Sequence, residues 1–403
     1  MALDLNETAK LIDSLAGGLR QQRDDWSDKL RLALETLAQA DAAQLQAKAQ
    51  ASKGKVTWLV AGIEEGLAER HPASPFPSDH AVLAVDGSHI DVDRHTAPRC
   101  YLINIGTVEL RYGAEPQARL TSHPRLASSE EELVVADPTG VRQQPIEGAL
   151  LGIMRAVEEV RALAVLVEAS PSELPTLALL DGSLILWGLA GQAYPEFVKR
   201  ALLEQGLLPA LERLRRASAE RPLALASYIS LPRSTDVVNA LRLHPSLCPY
   251  ETANCEQCGI EHAGQLPCNR IGGLTDRDLL GQTLEPGQRS SLFSTRSSVV
   301  EQYYGEHQVE FFYVNVGQEV ARVELPAWVA RDGHRLELAH ALLLEQCRKG
   351  QGYPVALMEA HEQAVVSVQD REMFRQLVEE ALAGQRLSSY TSEKSRSKRL
   401  RWL

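Results

Sequence analysis

The sequence predicts an α/β fold in which a mixed sheet is flanked by helices. Two apolar runs, residues 81–85 and 177–180, lack a polar face, so each is predicted to be a strand that is buried on both sides. Two further strand-like segments and one long helical segment lie between these runs, which gives the order strand, strand, strand, helix, strand. Such an order is typical of a sheet that has helices on its faces.

The N-terminal part of the chain is predicted to be helical. From Asp4 to about Glu69 apolar residues recur at helical spacing, with interruptions expected at residues 17–18 and 52–54. A proline-rich stretch, residues 71–78, is predicted to end this region as a rigid linker. We expect this arm to pack on its own sheet, to pair with a second copy of the chain, or to dock a partner protein.

The strand that begins near residue 80 is expected to be followed by two short strands, residues 99–106 and 108–112, with a turn at Gly106 and Thr107. A helix is predicted over about residues 145–168, before the strand that ends at Asp181. Further along, a loop rich in Cys, Gly and Pro covers residues 248–273, and residues 353–357 are predicted to be extended.

Composition and charge restrict the classes of function. The 403 residues carry a net charge of -11, which does not indicate a nucleic-acid-binding protein, although acids that hold metals would add to this total. Six cysteines without an export signal favour reduced thiols or a metal site over disulfides. No apolar window approaches the roughly 20 residues that span a bilayer, and the N-terminus does not resemble a signal peptide. We therefore expect a soluble cytoplasmic protein without membrane contact.

Asp86 and Asp181 are the strongest functional signal, because each follows a buried strand and precedes the same Gly-Ser turn. In neighbouring strands two such carboxylates would repel each other unless a cation lay between them. Carboxylates of this kind suit Mg²⁺ or Mn²⁺. The alternative is that Asp-Gly-Ser is only a good turn sequence. The long helix can supply a third carboxylate, and the residues alone leave Glu147, Glu158 and Glu159 open.

A polar cluster near the end of the fold includes Tyr353 and His361. A histidine there can bind a metal, hold the attacking water or donate a proton to a leaving oxygen. The alternative is a structural histidine that takes no part in chemistry.

Four cysteines, Cys248, Cys255, Cys258 and Cys268, lie in the predicted loop, and two of them form a Cys-x-x-Cys pair. Four thiolates in a short segment can bind structural Zn²⁺ or, as a second option, an iron–sulfur cluster. The other alternative is a set of free thiols in a surface loop.

These motifs resemble the NurA family of nucleases, and its bacterial branch in particular. The resemblance covers about residues 80–375 and rests on residues 85–88 (Val-Asp-Gly-Ser) followed by 101–106 (Tyr-Leu-Ile-Asn-Ile-Gly), on 180–184 (Leu-Asp-Gly-Ser-Leu), and on Tyr353-Pro354 with Ala360-His361. We accordingly expect a helical region and linker at 1–79, and a nuclease domain at 80–375 with a Cys-containing insertion at about 244–273. A helix end and a basic tail are expected at 376–403.

The resemblance implies an RNase H-like core and a DNA nuclease that requires Mn²⁺ or Mg²⁺. Proteins of this family degrade DNA from ends, form homodimers and work with the hexameric HerA translocase. We therefore expect a 5′-to-3′ exonuclease in end resection and double-strand break repair, with single-strand endonuclease activity as an option. For this sequence the resemblance implies that Asp86, Glu159 and Asp181 bind the metal, with Glu159 chosen because it follows Arg155 by four residues. It also implies that Tyr353 and His361 complete the site, with His361 as a further metal ligand.

Two other classes of protein are compatible with parts of the sequence. One is a non-catalytic subunit that binds DNA ends or the translocase on the same fold. The other is an actin-like or sugar-kinase-type ATP phosphotransferase, in which Asp-Gly-Ser turns also follow buried strands. That class should carry a further Gly-rich phosphate loop in the C-terminal half, and the sequence shows none.

Overall fold

A computed structural model describes residues 4–92, 99–170 and 173–386, so most of the predicted basic tail, residues 387–403, lies outside the described residues. The strands are β1 (Gly62–Ile63), β2 (Arg70–Pro72), β3 (His80–Ile90), β4 (Tyr101–Tyr112), β5 (Gln117–Ala127), β6 (Val134–Ala136), β7 (Gln143–Pro145), β8 (Thr176–Asp181), β9 (Leu223–Ile229), β10 (Gln288–Ser290), β11 (Phe293–Ser294), β12 (Val309–Asn315) and β13 (Val320–Pro326).

The α-helices are α1 (Leu5–Gln39), α2 (Ala42–Ala51), α3 (Ala149–Ala169), α4 (Glu196–Leu202), α5 (Leu208–Glu220), α6 (Asp236–Leu241), α7 (Cys255–Glu261), α8 (Asp276–Leu280), α9 (Ser298–Tyr303), α10 (Ala327–Ala330), α11 (Gly333–Lys349), α12 (Val355–Ala364) and α13 (Val368–Gly384). Short 3₁₀ segments occur at Trp187–Leu189, Pro267–Ile271 and Gly305–His307, and a π-helical turn at Leu203–Leu207 joins α4 to α5. None of the helices among the described residues is both long and apolar enough to cross a membrane.

The chain divides into two compact units, each built from separate stretches of sequence. Unit 1 comprises Met1–Pro72, Ser230–Arg296 and Glu310–Val323, and unit 2 comprises Ala73–Ile229, Ser297–Val309 and Glu324–Leu403. The domains expected from the sequence are continuous stretches instead, and their boundaries stay a prediction.

Unit 1 contains the N-terminal helices, which end earlier than the sequence suggests. Residues Leu30, Ala33 and Leu37 of α1 are spaced three or four apart and pack into the core of this unit. Helix α2 ends at the predicted interruption, where Gly54 has a φ of +76° that glycine adopts without strain. Beyond it β1 pairs with β11, so the prediction of helix as far as Glu69 is wrong.

Unit 2 contains a mixed sheet with the order β9-β8-β3-β4-β5. Strands β3, β4 and β5 are antiparallel neighbours, whereas β8 runs parallel to both β3 and β9. The apolar run at 81–85 is buried on both faces, as the absence of a polar face predicts. Helix α3 packs on one face, beside Gly87, and α12 on the other, beside Gly106, because successive strand residues point to opposite faces.

The predicted turn at Gly106 and Thr107 is wrong, because β4 runs without a break through both residues. A Cβ at Gly106 would lie 2.3 Å from the carbonyl oxygen of Ala360 and 2.7 Å from the backbone nitrogen of Ala364. The glycine therefore permits the close approach of α12 to the middle of a strand.

The prediction of an extended segment at 353–357 is wrong from Val355 onward, where α12 begins. Pro354 stands at the N-cap of this helix, a part of the helix that tolerates proline because its N–H groups have no intrahelical partner. Ala356, Leu357 and Ala360 are buried and share the face that packs on the sheet.

Candidate active site

Strand β3 delivers Asp86 from its buried part. Asp86 is 8% exposed, and its Oδ1 accepts a hydrogen bond of 2.8 Å from the backbone N–H of Gly87. Its Oδ2 lies 2.7 Å from Nδ1 of His361 on α12. A buried carboxylate needs such partners, because an unpaired charge in a low-dielectric interior is very costly.

Asp181 ends β8, the strand beside β3. The turn that follows depends on Gly182, which has a φ of +83° and donates its N–H to the carbonyl of Tyr228 at 2.9 Å. Although Asp181 is exposed at the strand end, protein atoms still crowd around its carboxyl group, and this desolvation raises its pKa. A hydrogen bond from Tyr353 opposes the rise and the charge of Asp86 adds to it.

Helix α3 places Glu159 against the same sheet. A side chain at Gly87 would lie 2.5 Å from Oε1 of Glu159, so the glycine makes room for this acid. Glu159 is 7% exposed, and burial raises its pKa to about 8. Arg155 opposes this rise, while the charges of Asp86 and Asp181 add to it.

Of the three acids that the residues leave open, Glu159 is the one that the structure brings to the two aspartates of the sheet. Glu158, the next residue, forms an ion pair of 2.6 Å with Arg161 instead. Glu147 lies 3.9 Å from Arg99. The difference follows from helix geometry, because consecutive residues point about 100° apart around the axis.

Tyr353 and His361 come from the C-terminal part of unit 2. The ring of Tyr353 meets Tyr228 edge-on, with 5.4 Å between centroids. Burial raises the pKa of the Tyr353 hydroxyl, and the charge of Asp181 and its hydrogen bond add to this rise, so the hydroxyl stays protonated and donates. The side chain of His361 is 60% exposed and still reaches Asp86.

Arg155 is a site residue to which the sequence assigns no role of its own. Its Nη1 lies 3.0 Å from Oε1 of Glu159 and 4.0 Å from Oδ1 of Asp86, and it also donates to the carbonyl of Gly87. Arg155 is close enough to Glu159 to form an ion pair, but the two groups do not have hydrogen-bond geometry. The buried Oε1 of Glu159 therefore accepts no hydrogen bond. The four-residue spacing of the two side chains on one helix face is the sequence signal for this pair.

Two further polar residues hold elements of the site in place. Glu324 of β13 is buried and accepts hydrogen bonds from the Ser183 hydroxyl at 2.7 Å and the Leu184 N–H at 3.0 Å, which fixes the turn after β8. Asn104 of β4 donates to the carbonyl of Ala364, at the end of α12, at 2.9 Å. Each is a polar residue within an apolar strand sequence, which is the signal that could have found it.

The donor set suits a hard divalent cation, because carboxylate oxygens are the ligands that Mg²⁺ and Mn²⁺ prefer. One of these oxygens, Oε1 of Glu159, is buried without a hydrogen-bond donor, which a bound cation would explain. The residues that would hold the ion are Asp86, Glu159, Asp181 and His361.

A tighter group of possible ligands occurs in unit 1. Among the described residues, Glu65, Glu69 and His71 form the group in which all ligand atoms lie within 4.8 Å of one another. These side chains are partly or fully exposed, and acidic surface groups often lie together without an ion. The ligand atoms around Asp86 are farther apart, so an ion bound there would draw them together.

The four cysteines of the predicted insertion all lie in unit 1 as free thiols. Their segment is not irregular throughout, as the loop prediction implies, since it contains α7 and the 3₁₀ segment Pro267–Ile271. Helix α7 forms because Asn254 caps it, accepting a hydrogen bond of 3.1 Å from the N–H of Gln257.

Comparison with known proteins gives a family for this chain. The sequence profile of the NurA domain matches residues 80–366, and no curated protein matches the chain. Among solved structures, a crystal structure of NurA with manganese is similar at 13% identity and a TM-score of 0.37, over 77% of this chain and 91% of that one.

Two other solved structures are similar to the chain. The catalytic domain of human Endonuclease V has 15% identity and a TM-score of 0.29, over 74% of this chain and 83% of that one. LC9-RNase H1 has 10% identity and a TM-score of 0.20, over 44% and 76%.

The profile match extends over more than half of the chain and includes every residue of the candidate active site. The sheet of unit 2 contains parallel and antiparallel strand pairs and has helices on both faces, so the predicted α/β fold class, a mixed sheet flanked by helices, is confirmed. The chain therefore belongs to the NurA family of nucleases.

Proposed function

We propose that this chain is a deoxyribonuclease that hydrolyses phosphodiester bonds with Mn²⁺ or Mg²⁺, degrading DNA 5′-to-3′ from its ends. The observation that supports this most is the buried Glu159, whose pKa is raised to about 8 beside two further acids and whose Oε1 has no donor. Three acids this close are costly to ionise together, and a bound divalent cation would offset that cost. Membership of a nuclease family supports phosphodiesters as the substrate.

The residues of the site have separate roles in this proposal. Asp86, Glu159 and Asp181 would hold the ion, which when bound activates water and stabilises charge on the phosphate oxygens. His361 donates through Nδ1 to Asp86, which leaves Nε2 with one of two roles: it binds the ion as a fourth ligand, or it accepts a proton from the attacking water. Tyr353 keeps its proton and orients the carboxylate of Asp181.

The proposal extends to partners and cellular role through the family resemblance. We expect the chain to form a homodimer, to act with a HerA-type hexameric ATPase in end resection and double-strand break repair, and to do so in the cytoplasm. Single-strand endonuclease activity is a further option.

A non-catalytic subunit that binds DNA ends or the translocase is the second candidate. It is disfavoured because hydrogen bonds and charges join Asp86, Glu159, Asp181, Tyr353 and His361, which are residues able to do chemistry.

The test is cleavage of linear single- and double-stranded DNA, labelled at the 5′ or the 3′ end, with Mn²⁺, Mg²⁺ or EDTA. We expect metal-dependent release of label from the 5′ end first, and loss of cleavage in Asp86→Ala and Glu159→Ala. Glu168→Ala is the matched control for Glu159, because Glu168 lies on the same helix α3 and is exposed.

Cleavage that continues in EDTA, or that persists in both site variants, would contradict the proposal. If no metal supports cleavage, the assay is repeated with the translocase and ATP. Activity that then depends on Asp86 would indicate a partner-dependent nuclease, whereas continued inactivity would favour the binding subunit.

A further inference from the structure

The four clustered cysteines of unit 1 form a group that the nuclease proposal does not use. Cys248 follows α6, Cys255 and Cys258 stand in the first turn of α7, and Cys268 lies in the 3₁₀ segment Pro267–Ile271. Because Cys255 and Cys258 are three residues apart in one helix, their side chains share a face. The Cys-x-x-Cys pair therefore has the spacing that is typical of zinc ligands and lies on one face of a helical turn.

The environment of these thiols is unusual for cysteines that only fill a core. Cys255, Cys258 and Cys268 are buried and Cys248 is half-buried, yet none forms a disulfide. The charges of Cys248 and Cys255 act on the thiols of both Cys258 and Cys268. The four sulfurs therefore lie close enough to influence one another.

A cation also contacts one of the sulfurs. Nη2 of Arg242 donates to Sγ of Cys268 at 3.5 Å. The guanidinium is held there by Asn239 at 3.1 Å and Asn269 at 2.6 Å, and it stacks on Trp58 at 3.6 Å. A fixed positive donor beside a buried sulfur stabilises the thiolate, which is the form that binds metal.

A second polar group lies at the other end of the set. The hydroxyl of Tyr250 forms a hydrogen bond with the thiol of Cys258. The same hydroxyl lies 2.7 Å from Oε2 of Glu261 and 2.9 Å from Nε2 of His262. Outer groups that hydrogen-bond metal ligands in this way orient the ligands and tune their affinity.

We propose that Cys248, Cys255, Cys258 and Cys268 bind one structural Zn²⁺ ion, with Arg242 and Tyr250 as its outer hydrogen-bonding groups. A structural zinc ion is bound by four thiolates in tetrahedral geometry. The four sulfurs here lie near one another but are not in contact, so the ion would bring them closer together. Among the described residues no three of these sulfurs lie within 4.8 Å of one another, so the ion would tighten the segment.

The ion would fasten this segment to the helical arm. The N–H of Cys255 donates to the carbonyl of Lys55 at 3.0 Å, and Nζ of Lys48 donates to the carbonyl of Cys248 at 2.5 Å. The Ser52 hydroxyl accepts from the N–H of Ala253 at 2.8 Å. These contacts are made by Cys248, by Cys255 and by Ala253, which lies between them. A metal bound by the cysteines would therefore stabilise both the cysteine-containing segment and the end of α2.

The test is metal analysis of the full chain, purified without chelator and carrying Asp86→Ala so that zinc at the active site is reduced. We expect about one zinc per chain, as a closed four-thiolate site holds. The double variant Cys255→Ser/Cys258→Ser should lose most of this zinc. Cys100→Ser is the matched control, because Cys100 is a half-buried thiol of unit 2. This variant should keep its zinc.

A second measurement does not depend on the folding of a variant. Zinc is displaced from the chain without cysteine substitutions and replaced by Co²⁺, which should give the intense sulfur-to-cobalt absorption of a four-thiolate site. Three outcomes would each overturn the proposal. The first is a chain that holds no zinc and gives no such absorption with Co²⁺. The others are an iron–sulfur spectrum and a double variant that keeps its zinc. None of these measurements uses DNA cleavage, so failure here is distinct from failure of the proposed nuclease.

Discussion

Each unit contains a group of neighbouring acids that includes two buried ones, and the two groups differ in how their charges are stabilised. Both combine carboxylates with one arginine and one tyrosine. The Asp276 cluster of unit 1 consists of Asp236, Asp276, Tyr313 and Arg322, and the Asp86 cluster of unit 2 consists of Asp86, Arg155, Glu159, Asp181 and Tyr353.

The Asp276 cluster is stabilised by donors that belong to the fold. Asp276 accepts two consecutive backbone N–H groups of α6 at 3.0 and 2.8 Å and the hydroxyl of Tyr313 at 2.6 Å. Arg322 donates to Asp236 at 2.8 Å and stacks on Phe311 at 3.6 Å. These acids serve the structure, since fixed groups supply their partners.

The Asp86 cluster leaves part of its charge without such partners. Oε1 of Glu159 accepts no hydrogen bond, although Nη1 of Arg155 lies 3.0 Å from it, and Arg155 remains 4.0 Å from Asp86. The difference teaches that composition does not separate a structural acid cluster from a functional one. What separates them is whether fixed donors of the fold satisfy the buried carboxylate oxygens.

The largest effect on stability is expected from Arg322→Ala. Without Arg322, Asp236 and Asp276 remain buried with no positive charge beside them, so we expect a loss of about 3–5 kcal/mol in the free energy of unfolding. Urea unfolding in EDTA measures this loss, and DNA cleavage per folded molecule should not change. A loss below about 1 kcal/mol would show that this cluster does not depend on its fixed charges.

Asp181→Asn is expected to lower DNA cleavage without lowering stability, which is the opposite of the effect expected from Arg322→Ala. This variant should lower DNA cleavage roughly 10³-fold, because several kcal/mol of ion-mediated stabilisation of the transition state would be lost. The free energy of unfolding in EDTA should stay the same or rise, because one of the charges that repel Glu159 and Asp86 is removed. If stability fell as steeply as cleavage, the contrast between the two clusters would fail.

The pH dependence of stability sharpens the comparison further. Burial raises the pKa of Asp276 to about 7, and the charge of Asp236 adds to the rise. Because the folded state binds this proton more tightly than the unfolded state, the stability from this group is present below about pH 4 and is lost as the pH rises through about 7. In the Asp276→Asn variant this side chain cannot ionise. Between about pH 4 and about pH 7 the free energy of unfolding of the variant should therefore decline by about 1–3 kcal/mol less than that of the unsubstituted chain.

The control for that experiment has the opposite sign. The hydroxyl of Ser367 holds the pKa of Asp370 below its usual range, so the stability from this exposed acid is present at higher pH and is lost in acid. Asp370→Asn should therefore alter the profile only below about pH 4. An unaltered slope between pH 4 and 7 in Asp276→Asn would show that Asp276 does not carry the raised pKa.

The parts of the fold that could be predicted are those where neighbouring residues decide the outcome. Strands β3 and β8 contain apolar runs without a polar face, which makes both recognisable, and β8 ends at Asp181 before a Gly-Ser turn. The turn predicted after Asp86 is wrong, because β3 continues through Gly87 and Ser88 to Ile90, paired with β4. The same local pattern identifies Asp86 and Asp181 as candidate ligands. The choice between Glu158 and Glu159 is not local, because only the packing of α3 decides which of the two faces the sheet.

Contacts between distant parts of the chain are what the sequence could not show. The arginine and tyrosine of the Asp276 cluster come from β13 and β12, and its aspartates from α6 and α8. Nothing in the spacing of these residues indicates that they meet. Gly106 is a similar case, because a glycine between two strand-like segments has the same sequence pattern as a turn.

The smallest expected effects concern the packing that brings His361 to the Asp86 cluster. An alanine at Gly106 would place its Cβ 2.3 Å from the carbonyl oxygen of Ala360, so Gly106→Ala should push α12 outward and lower the free energy of unfolding by about 1–3 kcal/mol. Cleavage should fall as well, because His361 moves with the helix. Gly152→Ala on α3 is the control: no atom lies within 4 Å of its Cβ, so a gain of about 0.5–1 kcal/mol is expected. Equal stability of the two variants would mean that the site does not depend on this close approach.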